Sequence, residues 1–244
     1  KKSGNINLNS ICLAGGLIAN VKINQKINEI KGVKELFVFP HMGDGGLTIG
    51  AACNLYFELT KKSKIKLKNV NYGPEYSDKK IKQQLNKFKN KINFIKCKNI
   101  KNKVVQKLVD KKVVGFFQGR MEFGPRALGS RSILFHTKDK SANDWLNKRL
   151  RRTEFMPFAP VTIDKLANKC FEGWKKNDVC TPFMTRTFLC KRNFIINNPA
   201  VVHVDKTARP QVVKKNFNKI YYQVIKKYCE QTGNNSLINT SFNQ

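Results

Sequence analysis

The sequence predicts an α/β fold, on three observations. Short apolar runs bounded by Gly or Pro, at residues 11–14, 36–39 and 113–117, alternate with longer stretches of helical periodicity. Near the N-terminus the order strand, Gly-Gly, helix is written out directly by residues 11–27. With 244 residues, 41% of them hydrophobic, the chain is long enough to bury a core without disulfide or metal staples. Gly plus Pro come to 23 residues and charged residues to 26%, which excludes collagen-like, low-complexity and fully disordered chains. Apolar runs such as residues 11–18 are interrupted by glycines and fall short of the roughly 20 residues a membrane span requires, so no membrane contact is expected.

Taken in order, residues 11–14 read as a buried strand, turned at Gly15-Gly16 into an imperfect helix over 17–27. Such a turn offers unpaired backbone N–H groups to an anion or a ribose, and tight packing of helix on strand accounts for the glycines equally well. Residues 36–39 form a second strand ended by Pro40. His41-Met-Gly-Asp44-Gly-Gly46 then leads into an apolar helix over 47–59, where Gly50-Ala-Ala52 suits close packing. Asp44, flanked by glycines, can reach a metal or a hydroxyl, or simply cap the helix. Lys and Asn dominate residues 60–71 and Gly73-Pro74 follows, which places a domain boundary between residues 1–71 and 72–244. Ser77 is an N-cap for a polar helix to about residue 89. Residues 92–95 resemble an edge strand, 104–109 a helix face, and 113–117 a strand running into an Arg-rich loop. A helix with Trp145 and Leu146, a strand from Val161, strands at 200–204 and 237–238, and an amphipathic helix over 217–231 complete the chain.

Net charge is +31, from 47 basic against 16 acidic residues, a balance that suits a polyanionic partner. Only nine of the basic residues are Arg, however, and the Lys are spread along the whole chain together with many Asn, so most Lys read as solvated surface. The Arg are not spread: six of the nine fall between Arg120 and Arg152. The seven Cys are odd in number and contain no Cys-x-x-Cys pair, which reads as free thiols in a reducing, cytoplasmic setting. The chain opens on Lys-Lys and stops directly after an apolar run, so it is expected to be a fragment.

Residues 119–132 hold three Arg, one Glu and two Ser among three Gly and one Pro, a loop rich in donors. Arg engages phosphate or carboxylate through charge-assisted hydrogen bonds, each worth about 1.5 to 3 kcal/mol where water is excluded. Several Arg on one loop repel one another unless something negative sits among them. Glu122 offsets one charge and a polyphosphate would offset the rest; the alternative is an Arg–Glu network bracing a domain interface.

At this loop a resemblance emerges. Phe-Gly-Pro-Arg-Ala-Leu-Gly-Ser-Arg-Ser-Ile-Leu (123–134), Arg-Thr-Glu-Phe-Met-Pro-Phe-Ala-Pro (152–160), His-Val-Asp-Lys-Thr-Ala-Arg-Pro-Gln (203–211) and Asn-Thr-Ser-Phe-Asn (239–243) resemble the C-terminal domain of NodU/TobZ-type O-carbamoyltransferases. Residues 14–20 and 43–52 resemble the end of that family's other domain, which has an actin/hexokinase-like fold. The resemblance implies a YrdC-like twisted mixed sheet with helices over 72–244, preceded by part of an actin/hexokinase-like α/β domain over 1–71. It further implies that carbamoyl phosphate and ATP, with Mg²⁺, form carbamoyl adenylate and pyrophosphate. An iron-holding domain then passes the carbamoyl group to a hydroxyl of a sugar or similar natural product. A homodimer is left open, and nucleic acid is not expected as a partner.

By the same resemblance Arg120, Arg126, Arg131 and Ser132 contact phosphate or carbamoyl groups. Arg151, Arg152 and the turn at 157–160 resemble the basic pair and Pro that hold nucleotide phosphates in YrdC-like folds, and Ser241 and Asn243 resemble that fold's Ser-x-Asn contact. Arg209 shares a family motif with His203 and Asp205, for which no individual role follows. Gly15, Gly16 and Asn20 match an adenosine-binding turn, and Asp44 the metal-ligating aspartate. The other metal ligands are histidines from a stretch this sequence does not contain, His41 not among them, and one carboxylate cannot hold iron alone. Adenylate formation, without transfer, is therefore expected of the chain as given. Two rival readings are a threonylcarbamoyladenosine-type tRNA modification enzyme and a non-catalytic RNA-binding protein.

Overall fold

In the computed structural model, which describes residues 9–62, 67, 69–151 and 157–242, β1 (Ser10–Leu13) and β2 (Glu35–Val38) pair in parallel. Parallel neighbours need a crossover, and α1 (Val21–Asn28) supplies it. The helix expected over 17–27 is broken: a 3-10 turn, Gly16–Ala19, precedes α1 because Asn20 takes extended backbone between them. Asn20 Oδ1 accepts from the N–H groups of Lys22 (3.1 Å) and Ile23 (3.3 Å), the work of an N-cap. Helix α2 (Leu47–Thr60) forms where its apolar content predicts it, yet buries none of its residues. A Cβ on Gly50 would meet nothing within 4 Å, so the close packing expected there is not made among the described residues. Helix α3 (Asp78–Lys87) starts as expected, with Ser77 Oγ accepting from Lys80 N–H.

After α4 (Ile100–Val109), strands β3 (Val114–Phe117) and β4 (Arg131–Phe135) begin the main sheet. Helix α5 (Ala142–Arg149), strand β5 (Ala159–Ile163) and helix α6 (Asp164–Cys170) follow. A small hairpin of β6 (Phe188–Leu189) and β7 (Thr207–Ala208) encloses α7 (Arg192–Asn197). Strand β8 (Gln211–Val213), helix α8 (Lys219–Thr232) and β9 (Leu237–Ser241) end the chain. The main sheet is mixed, with order β3-β4-β9-β5-β8, antiparallel except between β5 and β8. An α/β fold is thus observed.

Side chains alternate across a strand, and the core divides accordingly. Leu134, Val213 and Leu237 pack with Leu108 of α4 and Tyr221 and Ile225 of α8 on one face of the sheet. Their immediate neighbours Phe135, Val212 and Ile238 pack with Leu146, Ala167 and Phe194 of α5, α6 and α7 on the other. Covered on both faces, β5 is buried at every residue.

Two expected strands are absent. Residues 92–95 pair with no strand, and at 200–204 the apolar run opens as a 3-10 turn, Pro199–Val201, whose proline sits in the first turn where a missing N–H costs nothing. The β1–β2 unit is tied to the segment after α6. Asn24 Nδ2 donates to Ile18 O and Thr185 O, both at 2.8 Å, and Thr187 Oγ1 bonds Gln25 Oε1 at 2.7 Å. All seven cysteines are unpaired, and burial pushes the thiols of Cys170, Cys190 and Cys229 up to about 12. Among the described residues no helix is long and apolar enough to cross a membrane.

Candidate functional site

The Arg-rich stretch leaves β3 at Phe117 and re-enters the sheet as β4 at Arg131, so its ends are fixed by neighbouring antiparallel strands. Two glycines shape it. Gly124 has φ +116°, against Pro40 and His41, and Gly129 has φ +106°, where a Cβ would lie 2.2 Å from the Tyr221 ring. The backbone polar groups of the loop are then satisfied one by one. Glu122 Oε1 accepts from the N–H groups of Leu128 (2.8 Å), Ser130 (2.6 Å) and Arg131 (3.2 Å). Asn239 Nδ2 donates to Ala127 O, Gln211 Nε2 to Leu128 O and Gln118 Nε2 to Gly129 O, at 2.8 to 2.9 Å. Residues 70–74 lie along its other side: Phe123 N–H donates to Val70 O (2.6 Å) and Gly73 N–H to Met121 O (2.9 Å). A loop whose backbone is held this way presents its remaining side chains in one geometry.

What it presents is a cavity of about 600 Å³, lined among others by Phe117, Glu122, Arg126, Arg131 and Ser241. Arg126 and Arg131, both named from the sequence, differ in what they can do there. Arg131 Nη1 donates to Gln118 O (2.8 Å) and Ser130 O (3.0 Å), Nη2 donates to Gly119 O (3.1 Å) and Pro74 O (3.2 Å), and the guanidinium stacks 3.6 Å over the Phe117 ring. It braces the loop and lends the cavity its charge. Arg126 has a buried Nε with no hydrogen-bond partner, and burial pulls its pKa below the ordinary guanidinium value. A half-buried cation whose buried Nε is a spare donor stabilises an anion placed beside it.

The other expected residues do not converge on the cavity. Ser132 is fully buried and its Oγ accepts from Gly129 N–H at 3.0 Å, so it holds the loop and cannot touch a ligand in this structure. Arg120 points to solvent and pairs loosely with Glu75 at 3.7 Å. Arg151 is exposed and does not line the cavity, while Arg152 and Asn243 lie outside the described residues. Arg209 is half-buried and, with burial, lowers the pKa of His203 against the opposing pull of Asp205. His203 Nδ1 meets Thr207 Oγ1 at 3.1 Å, a structural role. Burial acts to raise the Asp205 pKa, but hydrogen bonds from Lys22 and Thr207 outweigh it and hold the carboxyl at about 2.

In the β1–β2 unit, Gly15 (φ +110°) donates its N–H to Met42 O at 2.6 Å, drawing the turns at Gly15-Gly16 and at 41–46 together beyond the C-terminal ends of the parallel strands. Among the described residues a Cβ on either Gly15 or Gly16 would meet nothing within 4 Å, so tight helix-on-strand packing is not made there; positive φ explains Gly15. Asn20 is occupied as the cap of α1. Asp44 is exposed at the start of a 3-10 turn, and among the described residues no cluster of three or more His, Cys, Asp or Glu is placed to hold a metal ion. The described donor set therefore does not fit the iron that the resemblance implies.

Sequence reasoning missed the braces Gln118, Gln211 and Asn239, and it read Glu122 as a counter-charge without its further role as acceptor for three backbone N–H groups. The signal was present: Gln211 and Asn239 end and begin two of the quoted motifs, and separate motifs meeting at one loop is what bracing requires.

Comparison with known proteins places the chain in a family. The family model described as "Carbamoyltransferase C-terminus" matches residues 105–244, and "Carbamoyltransferase N-terminus" matches residues 2–53. The chain is 38% identical, over 99% of its length, to 46% of an uncharacterized protein of Methanocaldococcus jannaschii. It is 35% identical, over 96% of its length, to 35% of nodulation protein NolNO of Sinorhizobium fredii, and 32% identical, over 96%, to 43% of nodulation protein NolO of Bradyrhizobium diazoefficiens. It spans less than half the length of these relatives.

Proposed function

Because this chain belongs to the carbamoyltransferase family, we propose that its Arg126 cavity is where carbamoyl phosphate and the triphosphate of ATP meet to form carbamoyl adenylate. The observation that carries the reading is the half-buried Arg126, whose buried Nε has no hydrogen-bond partner, in a cavity that also holds Ser241. A carbamate oxygen attacks the α-phosphorus and pyrophosphate leaves. Balanced for atoms, the step takes up one water to free the carbamate from carbamoyl phosphate and releases inorganic phosphate as well. Negative charge builds on phosphate oxygens as pyrophosphate departs, and a donor already fixed at that point stabilises it without reorganising. Arg131, locked by four backbone carbonyls, keeps the field of the cavity positive, and Ser241 adds a hydroxyl at the end of β9.

The carbamoyl–AMP anhydride carries a good leaving group, so its transfer to a hydroxyl of a sugar or similar natural product completes an O-carbamoyltransferase reaction. In this reading residues 72–244 make the adenylate, with Mg²⁺ accompanying ATP, and residues 1–71 belong to the transfer part. Exchange of labelled pyrophosphate into ATP tests it. Exchange is expected with the wild-type chain only when carbamoyl phosphate is present, and Arg126→Ala should lower its rate about 10²- to 10³-fold. Undiminished exchange in that variant removes Arg126 from the chemistry. Exchange supported by threonine and bicarbonate instead assigns the chain to tRNA modification.

A further inference from the structure

A pocket of about 110 Å³ lies where the β1–β2 unit meets the segment after α6, and it shares no described lining residue with the Arg126 cavity. Lys34 and Glu35, where β2 begins, line it together with Lys175, Asp178 and Arg186. That is the opposite end of β2 from the turn at 41–46, so the pocket is separate from the Gly15-Gly16 turn as well. We infer that it binds a phosphate-sized oxyanion on the Arg186 guanidinium, and that the bound anion bridges the two parts of the chain.

Arg186 is only 7% exposed, and its Nε is buried with no hydrogen-bond partner among the described residues. A buried donor left unpaired is costly, and a ligand or an ordered water relieves it. Asp178 does not: its Oδ2 accepts from Arg186 Nη2, a different nitrogen. Its Oδ1 accepts from the N–H groups of Thr181 (2.7 Å) and Cys180 (3.0 Å), so three donors already meet the Asp178 charge. The guanidinium is also fixed in place. Thr185 and Thr187, on either side of it in sequence, are both bonded to α1, through Asn24 (2.8 Å) and Gln25 (2.7 Å), and the guanidinium carbon stands 4.3 Å from the Phe188 ring centroid. A donor fixed in advance loses little freedom when it binds. Charge and size then select the ligand. The cations Arg186, Lys34 and Lys175 outnumber the carboxylates Asp178 and Glu35 by one, a surplus that suits an anion. An apolar cavity that takes benzene measures about 150 Å³, so a pocket of about 110 Å³ admits an anion of roughly five heavy atoms, the size of phosphate. The inference stands on this pocket and does not rest on the reading of the Arg126 cavity.

Calorimetric titration of the whole chain with inorganic phosphate tests it, in an Arg126→Ala background so that the other cavity does not contribute. One phosphate per chain is expected there, and adding Arg186→Gln should weaken it by about tenfold or more. Because Arg186→Gln also takes from Asp178 one of its three donors, two variants of exposed residues that leave that pairing intact accompany it. Lys34→Gln should weaken phosphate by about threefold, and Glu35→Gln should strengthen it by about as much. Undiminished affinity in a folded Arg186→Gln chain overturns the inference. So does unchanged affinity in both the Lys34 and Glu35 variants, which decides the matter if Arg186→Gln does not fold. An Arg126→Ala chain that binds no phosphate overturns it too, and leaves water as the occupant of the pocket.

Discussion

Arg126 is unfavourable in the free protein. Its Nε is buried without a partner and burial opposes its charge, so the residue costs stability until an anion arrives. Arg126→Met, which keeps length and removes charge, should stabilise the ligand-free chain by about 1 kcal/mol, raising its thermal midpoint by a few degrees at this size, and should abolish the upward shift given by tripolyphosphate. A lowered midpoint would mean that the guanidinium holds the loop together in the way Arg131 does. At this scale the sequence was partly legible. Arg126 and Arg131 were chosen from one motif and Ser241 from another more than 100 residues away, and all three line one cavity. Ser132 was chosen with them and points the other way, because β4 begins at Arg131 and successive residues of a strand face opposite sides. Treating residues 119–132 as loop throughout hid that alternation. Asn20 was misplaced for a similar reason: its amide is taken by the first turn of α1.

Among elements, the loop between β3 and β4 and helix α2 stand at opposite extremes. The loop has few residues in regular structure, yet Glu122, Gln118, Gln211 and Asn239 satisfy its backbone, so it is rigid where chemistry needs it. Helix α2 is regular and apolar, yet Leu55 and Leu59 are 55% and 76% exposed. Exposed apolar surface of that kind drives self-association. The double variant Leu55→Glu, Leu59→Glu should therefore scatter less light at high concentration with an unchanged thermal midpoint; a drop of several degrees would show that the face is packed. Helix α2 was legible as an element because apolar content is local information. Its packing was not, because Gly50-Ala-Ala52 names a close contact without naming the partner. Residues 92–95 and 200–204 were read as strands on apolar content alone; the first has no pairing neighbour among the described residues, and Pro199 starts a 3-10 turn at the second.

Over the whole molecule, charge and protonation set the response to acid. Net charge is already +31 at neutral pH, and each proton added increases self-repulsion. Burial holds His136 below the ordinary imidazole value, with Lys111 and Lys138 reinforcing and Asp139 opposing, and burial likewise lowers His203. The unfolded chain therefore takes up these protons first, near pH 6.5, and stability present at neutral pH is lost as pH falls below that value. Asp205 acts lower down: its carboxyl, held at about 2, contributes above about pH 4 and loses that contribution as pH falls toward 2. Lys22 and Asp205 are nearly half exposed, so salt screens this second contribution. Thermal midpoints measured from pH 7.5 to 5.5 should fall, and His136→Gln should flatten part of the slope; a flat wild-type profile would contradict the buried neutral histidines. The α/β fold was legible at this scale because strand and helix periodicities alternate along the chain, and the mixed strand order was not, since pairing depends on contacts remote in sequence.

The central claim is that an anionic substrate sits on Arg126, and its most direct measurement is the position of tripolyphosphate bound in a crystal of this chain. Phosphate oxygens within hydrogen-bond distance of the Arg126 guanidinium and beside Ser241 are the predicted result. Tripolyphosphate seated at the Gly15-Gly16 turn instead, with none at Arg126, would contradict it.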